Sequence, residues 1–194
     1  MAGMFNDAST PLALLATRRS GKPRDLTLPG PDGGQLATIL EIAARTPDHG
    51  KLAPWRFIIV PEDRRDALAE VIVQAYRAER PQAARLEIES LEQFAHQAPA
   101  LVVVMFSPKT HSHIPVWEQK LSAGAACMNL LHAVHASGFA GGWLTGWASF
   151  SDAVRDAFGA APERIAGFMF IGTPGRPLEE RPRPDMAKIV SIWA

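Results

Sequence analysis

A single cysteine, Cys127, leaves no partner for an intramolecular disulfide and no paired-thiol metal motif. Charge of neither sign dominates. Lys and Arg together number 20 and Asp and Glu number 20, so the formal net charge is zero. That balance removes the broad electrostatic footprint of a nucleic-acid binder or of a protein that lies on anionic lipid. Apolar runs are only a handful of residues long, far short of a membrane span. The first residues, MAGMFNDASTPLALLATRR, carry a short apolar patch with no basic segment or cleavage signature ahead of it, so the expected location is the cytoplasm. Two nucleotide signatures are missing as well. No G-x-G-x-x-G follows a strand, and no G-x-x-x-x-G-K-S/T occurs, which argues against a dinucleotide fingerprint or a phosphate-binding P-loop. The absence of G-x-S-x-G removes the nucleophile elbow.

What remains is an ordinary globular composition over 194 residues, with 47% hydrophobic and 21% charged. A chain of that length buries a sizeable core without disulfides or metals. No repeat or linker divides it, so residues 1–194 are expected to form one α+β domain.

The element pattern supports that class. Thr10–Thr17 (TPLALLAT) reads as a short helix with Thr10 as its cap and Pro11 in its first position. Lys22–Gly34 is rich in Pro and Gly and reads as a loop. Leu36, Ile39, Leu40 and Ala43 form a helical stripe within 35–45. Trp55–Val60 (WRFIIV), Leu101–Phe106 (LVVVMF) and Ile165–Thr173 read as buried strands. Long helices are expected over 61–80, 83–97 and 117–137, and a short one over 151–158 between a Ser151 cap and Gly159. Ala140–Trp147 reads as extended. The helix over 117–137 is apolar on most faces, and the Pro- and Arg-rich arm from about 174 to 194 ends in IVSIW. Both features predict a second copy: such a helix needs cover on every side, and such an arm reaches a neighbouring subunit.

Four segments carry candidate chemistry. Arg18, Arg19 and Ser20 place two guanidinium groups and a hydroxyl side by side, a donor set suited to a phosphate. Arg176 follows the strand ending in GTPG and brings another cation to a strand end. Gly142, Trp143, Leu144 and Thr145 belong to a glycine-punctuated stretch whose backbone can approach a flat ligand closely. His49 and Lys51 sit in the irregular segment PDHGKLAPW before a strand. Cys127, among small apolar residues mid-helix, reads as an inert core thiol. The pairs His132/His135 and His111/His113 lack the carboxylate and third His that would complete a metal site.

Taken in order, these pieces resemble the nitroreductase-like FMN oxidoreductases, in particular their compact bacterial branch. The matching segments are RRS at 18–20, the loop running from Pro47 to PWRF at 54–57, WEQ at 117–119, SAGAACMNLLHAVHASGFAGGW at 122–143 and GFMFIGTP at 167–174. The resemblance implies a mainly antiparallel sheet flanked by helices, in an intertwined homodimer with FMN in each of two interfacial pockets. It assigns Arg18, Arg19, Ser20 and Arg176 to the FMN phosphate end, Gly142, Trp143, Leu144 and Thr145 to the flavin ring, and His49 and Lys51 to the ring of the partner's flavin. The implied reaction is ping-pong: NADH or NADPH gives hydride to flavin N5, and a nitroaromatic, quinone or similar small acceptor takes it away. No protein nucleophile or base is required. The alternative on the same scaffold is an FMN-binding dimer that sequesters the flavin without turnover. One departure bears on specificity. Larger members read S-S-x-N-x-Q-P-W before the strand, and here Lys51 and Ala53 stand at the amide positions.

Overall fold

A strongly apolar strand flanked on both edges organises the molecule. In the computed structural model, which describes residues 5–193, five strands form a wholly antiparallel sheet around β5 (Arg164–Pro174). β3 (Ala100–Phe106) pairs with it along Ala100–Phe106, β4 (Ala140–Leu144) along residues 168–172, and the two-residue β1 (Leu26–Thr27) at its end. β2 (Trp55–Val60) pairs with β3 and forms the sheet edge. The fold is α+β, as the sequence pattern predicts. Residues 1–4 and 194, the ends of the expected single domain, lie outside the described residues.

Strand periodicity sorts the core into two layers, because successive side chains point to opposite faces. Leu101, Val103, Met105, Phe168 and Phe170 face α3 (Arg65–Glu79), α4 (Arg85–Ala95), α6 (Gly146–Phe150) and α7 (Asp152–Asp156). Val102, Val104, Met169 and Ile171 face α2 (Gly33–Ala43) and α5 (Val116–Ala136), where Ile39, Cys127, Leu130 and Val134 complete the second layer. Arg65 ties the first layer together. Its guanidinium is buried and donates to the carbonyls of Val60 (3.1 Å) and Ala95 (2.7 Å), satisfying a charge that would otherwise be costly to bury.

Several expectations need correction. Trp55–Val60 is an edge strand, not a buried one: Trp55 and Val60 are buried while Arg56 and Ile59 are exposed. The stretch 140–147 is extended only to Leu144. Gly146 adopts a φ of 64°, a region that glycine enters without strain, and the chain turns there into α6, whose Ser149 Oγ donates back to the Thr145 carbonyl. The loop over 22–34 contains β1, and α2 starts at Gly33 with an Asp32–Gln35 capping box. The helix expected from residue 61 begins as a 3-10 turn over Glu62–Arg64. By contrast, Thr10 caps α1 (Pro11–Thr17) by accepting from the Ala13 N–H, and Ser151 caps α7 through the Val154 N–H.

Candidate active site

The cap at Thr10 and the end of α1 at Thr17 deliver Arg18, Arg19 and Ser20 onto the sheet. The Asn6 side chain holds that exit: its Oδ1 accepts from the Arg19 N–H (2.7 Å) and its Nδ2 donates to the Arg19 carbonyl (3.1 Å). The next residues lie along β4, with the Gly21 N–H donating to the Gly141 carbonyl at 3.1 Å. The approach is close. A Cβ on Gly142 would stand 2.8 Å from the Gly21 carbonyl oxygen and 3.1 Å from Pro23 Cγ. The absent side chain of Gly142 thus admits the arginine-bearing segment close to β4.

Between this segment, β4 and α5 lies a cavity of about 600 Å³, within the range of small-molecule sites. Its lining combines two kinds of side chain. Arg18, Arg19, Lys22, Arg24 and Arg181 line it, and no carboxylate among the described residues does. Met128, Leu131, Trp143 and Leu144 supply apolar surface. A chain with zero net charge has thus gathered five cationic side chains around one hollow. Burial, followed by the charges of Arg183, Arg19 and Arg181, holds the Arg18 guanidinium below its ordinary pKa. Its Nη1 donates to Ser20 Oγ at 3.2 Å. Like charges in this arrangement favour an anion between them.

The structure therefore brings together Arg18, Arg19, Ser20, Gly142, Trp143 and Leu144 from the sequence-derived set. Thr145 follows them on the exposed turn into α6. Arg176 lines a neighbouring cavity of about 80 Å³, which shares Arg19, Ser20, Gly21 and Lys22 with the larger one. There its Nε lies 3.8 Å from Asp25 Oδ1, and its side chain is 79% exposed. His49 and Lys51 do not line either cavity of this chain. They occupy an exposed loop in which Gly50, Lys51 and Ala53 all have positive φ (78°, 55° and 46°). Ser122 Oγ fastens that loop to α5 through the Pro47 carbonyl (2.6 Å), and His49 Nδ1 meets Glu118 Oε2 at 2.7 Å.

Sequence reasoning misses Arg181, and with it Lys22, Arg24, Gln97, Met128 and Leu131, all on the cavity wall. The alternation of Pro and Arg in the tail was the available signal for the first. Elsewhere, the Cys127 thiol is pushed up to about 12 by burial, so it is no nucleophile. No group of three or more His, Cys, Asp or Glu residues able to hold a metal occurs among the described residues, and none of their helices is long and apolar enough to cross a membrane.

Comparison with known proteins agrees with the geometry. The model of the nitroreductase family matches residues 15–173, most of the chain, and the chain belongs to that family. Over 165 residues it is 36% identical to the Escherichia coli (strain K12) protein named "Putative NAD(P)H nitroreductase YdjA", covering 84% of this chain and 87% of that one. A Haemophilus influenzae protein named in the same terms is 38% identical over 164 residues, with coverage of 84% and 87%. Among solved structures, a nitroreductase-like family protein from Bacillus cereus superposes with a TM-score of 0.77 at 20% identity, over 100% of this chain and 98% of the other. A protein from Desulfovibrio desulfuricans crystallised with FMN gives 0.72 at 20% identity, over 96% and 98%. These two likenesses establish the fold.

Proposed function

We propose that the chain is an FMN-dependent NAD(P)H oxidoreductase that works as a cytoplasmic homodimer, with the 600 Å³ cavity as its cofactor site. The observation that carries this reading is the composition of the cavity wall: five cations with no carboxylate among the described residues, together with the apolar side chains of Met128, Leu131, Trp143 and Leu144. A molecule that combines a phosphate with a flat ring matches both kinds of lining. The family and the names of its relatives point the same way. Bound there, FMN would supply hydride exchange at N5, from NADH or NADPH to a nitroaromatic, quinone or similar acceptor, in alternating half-reactions.

The protein's part is to bind and to orient. Arg18, Arg19 and Ser20 hold the phosphate, with Arg176 as a further cation on its outer side. Guanidinium groups supply charge-assisted, paired hydrogen bonds for which a lone lysine is a poorer substitute. Gly142, Trp143, Leu144 and Thr145 run beside the ring with Met128 and Leu131, and the indole N–H of Trp143 is already committed to the Ala166 carbonyl at 3.0 Å. The ring therefore meets backbone groups and apolar surface. His49 and Lys51 reach the ring of a second copy's cofactor, where a cation near the pyrimidine edge favours negative charge.

Exposed apolar surface supports the second copy. Trp117 and Leu121 on α5 are 66% and 53% exposed, and Ile192 and Trp193 at the end of the arm are 94% and 98% exposed. Pairing with a second copy would give these side chains the cover they lack in one chain.

The visible spectrum of the purified protein, followed by anaerobic NADH or NADPH, tests the proposal. Flavin bands that bleach and then return on adding a nitroaromatic or quinone are expected. Bands that stay unbleached would favour the sequestering alternative, and no flavin after incubation with FMN would sink the cofactor assignment.

A further inference from the structure

We propose that Glu118 is a positioning residue for His49: it holds the imidazole with a proton on Nδ1 and leaves Nε2 free to meet the cofactor of a second copy. The inference rests on the dimeric cofactor reading above. It extends that reading to the W-E-Q segment at 117–119, which otherwise has no role.

The loop that carries His49 is strained. Among the described residues four that are not glycine have positive φ, and two of them, Lys51 (55°) and Ala53 (46°), fall in this loop. Such conformations persist only where the surroundings impose them. Asp48 Oδ2 accepts from the Ala53 N–H at 2.7 Å, and Ser122 Oγ donates to the Pro47 carbonyl. Gly50 lies so close to Ile114 that a Cβ would stand 3.3 Å from its Cγ1. Ile114 is itself buried. The buried Gln119 donates to the Ile114 carbonyl at 2.9 Å and accepts from the Lys109 N–H at 2.7 Å. The loop and the first turn of α5 thus rest on the same buried residue, and His49 Nδ1 stands 2.7 Å from Glu118 Oε2.

That contact adds little stability, because its side chains are 64% and 43% exposed and exposed ion pairs contribute little. What it fixes is the proton. A carboxylate only accepts, so Nδ1 carries hydrogen whether the ring is neutral or charged. Nε2 is then an acceptor on the neutral ring and a donor on the cation. Glu118 lies in the first turn of α5, where the helix dipole favours its negative charge. The exposed Trp117 and Leu121 stand beside it on the same helix. A second copy that covers them also encloses the pair, and the lower dielectric strengthens its hydrogen bond.

Nitrogen-15 NMR of the histidine rings in the full-length protein, with His49 assigned from the signal lost in His49→Ala, reads the tautomer at alkaline pH. The ratio of affinities for reduced and oxidised FMN, taken from the reduction potential of the bound flavin, reads the consequence. Wild type should show the Nδ1–H form. Glu118→Ala should release it and lower the reduced-to-oxidised ratio roughly tenfold, as His49→Ala does, the range for one hydrogen bond to a charged group. Glu118→Gln, whose amide oxygen still accepts from Nδ1, should keep the tautomer and a ratio no lower than wild type. The sign is diagnostic: direct electrostatics alone would raise the ratio when a negative charge is removed. An Nε2–H tautomer in wild type overturns the proposal. So does an unchanged or raised ratio in Glu118→Ala, an equal fall in Glu118→Gln, or a further fall when Glu118→Ala is added to His49→Ala. A wild-type ratio in His49→Ala would instead overturn the placement of His49 at the second copy's cofactor, and failure to bind FMN would overturn the cofactor reading itself.

Discussion

The indole N–H of Trp143 donates to the Ala166 carbonyl at 3.0 Å, across the one irregularity in the β3–β5 ladder. There Val104 pairs with Gly167 and Met105 with Ile165, so Ala166 is the residue passed over. A bulge leaves such a residue without its ladder partner, and here its carbonyl receives the side chain that walls the cavity. Gly167 makes room: a Cβ at that position would lie 2.0 Å from Trp143 Nε1. Gly167→Ala should therefore displace the indole and reshape the cavity. We expect FMN affinity to fall at least tenfold, whereas Trp143→Phe, which keeps a ring but loses one hydrogen bond, should cost about 1 kcal/mol of stability. Flavin titration and thermal unfolding read the two effects. Equal FMN affinity in Gly167→Ala and wild type would contradict the assigned wall.

Gly142 offers a second test of how the arginine segment is held. Its missing Cβ is filled by the Gly21 carbonyl and by Pro23, so Gly142→Ala should push residues 20–23 away from β4. Loss of the Gly21–Gly141 hydrogen bond follows, with FMN affinity reduced and far-ultraviolet circular dichroism unchanged. Retention of full affinity would mean that the segment is positioned by something other than this contact.

How much of this was legible beforehand depended on range. The bounds of Trp55–Val60 are readable from its own residues, and Thr10 and Ser151 are readable as caps because a cap acts within one turn. The edge position of β2 was not readable, since pairing on one side only is a property of the sheet. Nor is β1 readable, because its two residues owe their strand state to Thr173 and Pro174 far along the chain. At the site, Arg18–Ser20 and Gly142–Leu144 stand out from their own residues as separate candidates, and it is the family resemblance that assigns them to one ligand. Arg181 does not, because an exposed arginine between Glu180 and Pro182 reaches the cavity only when the arm folds back to Arg19.

The phosphate assignment stands on Arg18 first and Arg176 second. Arg18 lines the large cavity, and Arg176 stands beside Asp25 in the small one next to it. The double variant Arg18→Ala with Arg176→Ala should release FMN on purification. Arg18→Ala alone should account for most of the loss, roughly 10- to 100-fold in affinity, the range for a hydrogen bond to a charged group. Full flavin occupancy in the double variant would remove the assignment.

Acid stability supplies a prediction independent of the flavin. His135 on α5 is 1% exposed, and neither ring nitrogen has a hydrogen-bond partner among the described residues; the Gly141 backbone approaches without bonding geometry. Burial first, then the charges of Arg18 and His132, lower its pKa from 6.5 to about 4. The unfolded chain then binds a proton that the folded one refuses, so stability present above pH 6.5 is lost as pH falls towards 4. The loss is on the order of 3 kcal/mol, since each tenfold change in proton affinity is worth about 1.4 kcal/mol. Below that window a different group takes over. Glu163, bound by Arg56 and Ser107, is held at about 2, and its contribution disappears between 4.5 and 2. His135→Leu should flatten the denaturant midpoint between pH 6.5 and 4 and leave the steeper limb below it. A wild-type profile already flat across the upper window would show that His135 finds a partner in solution.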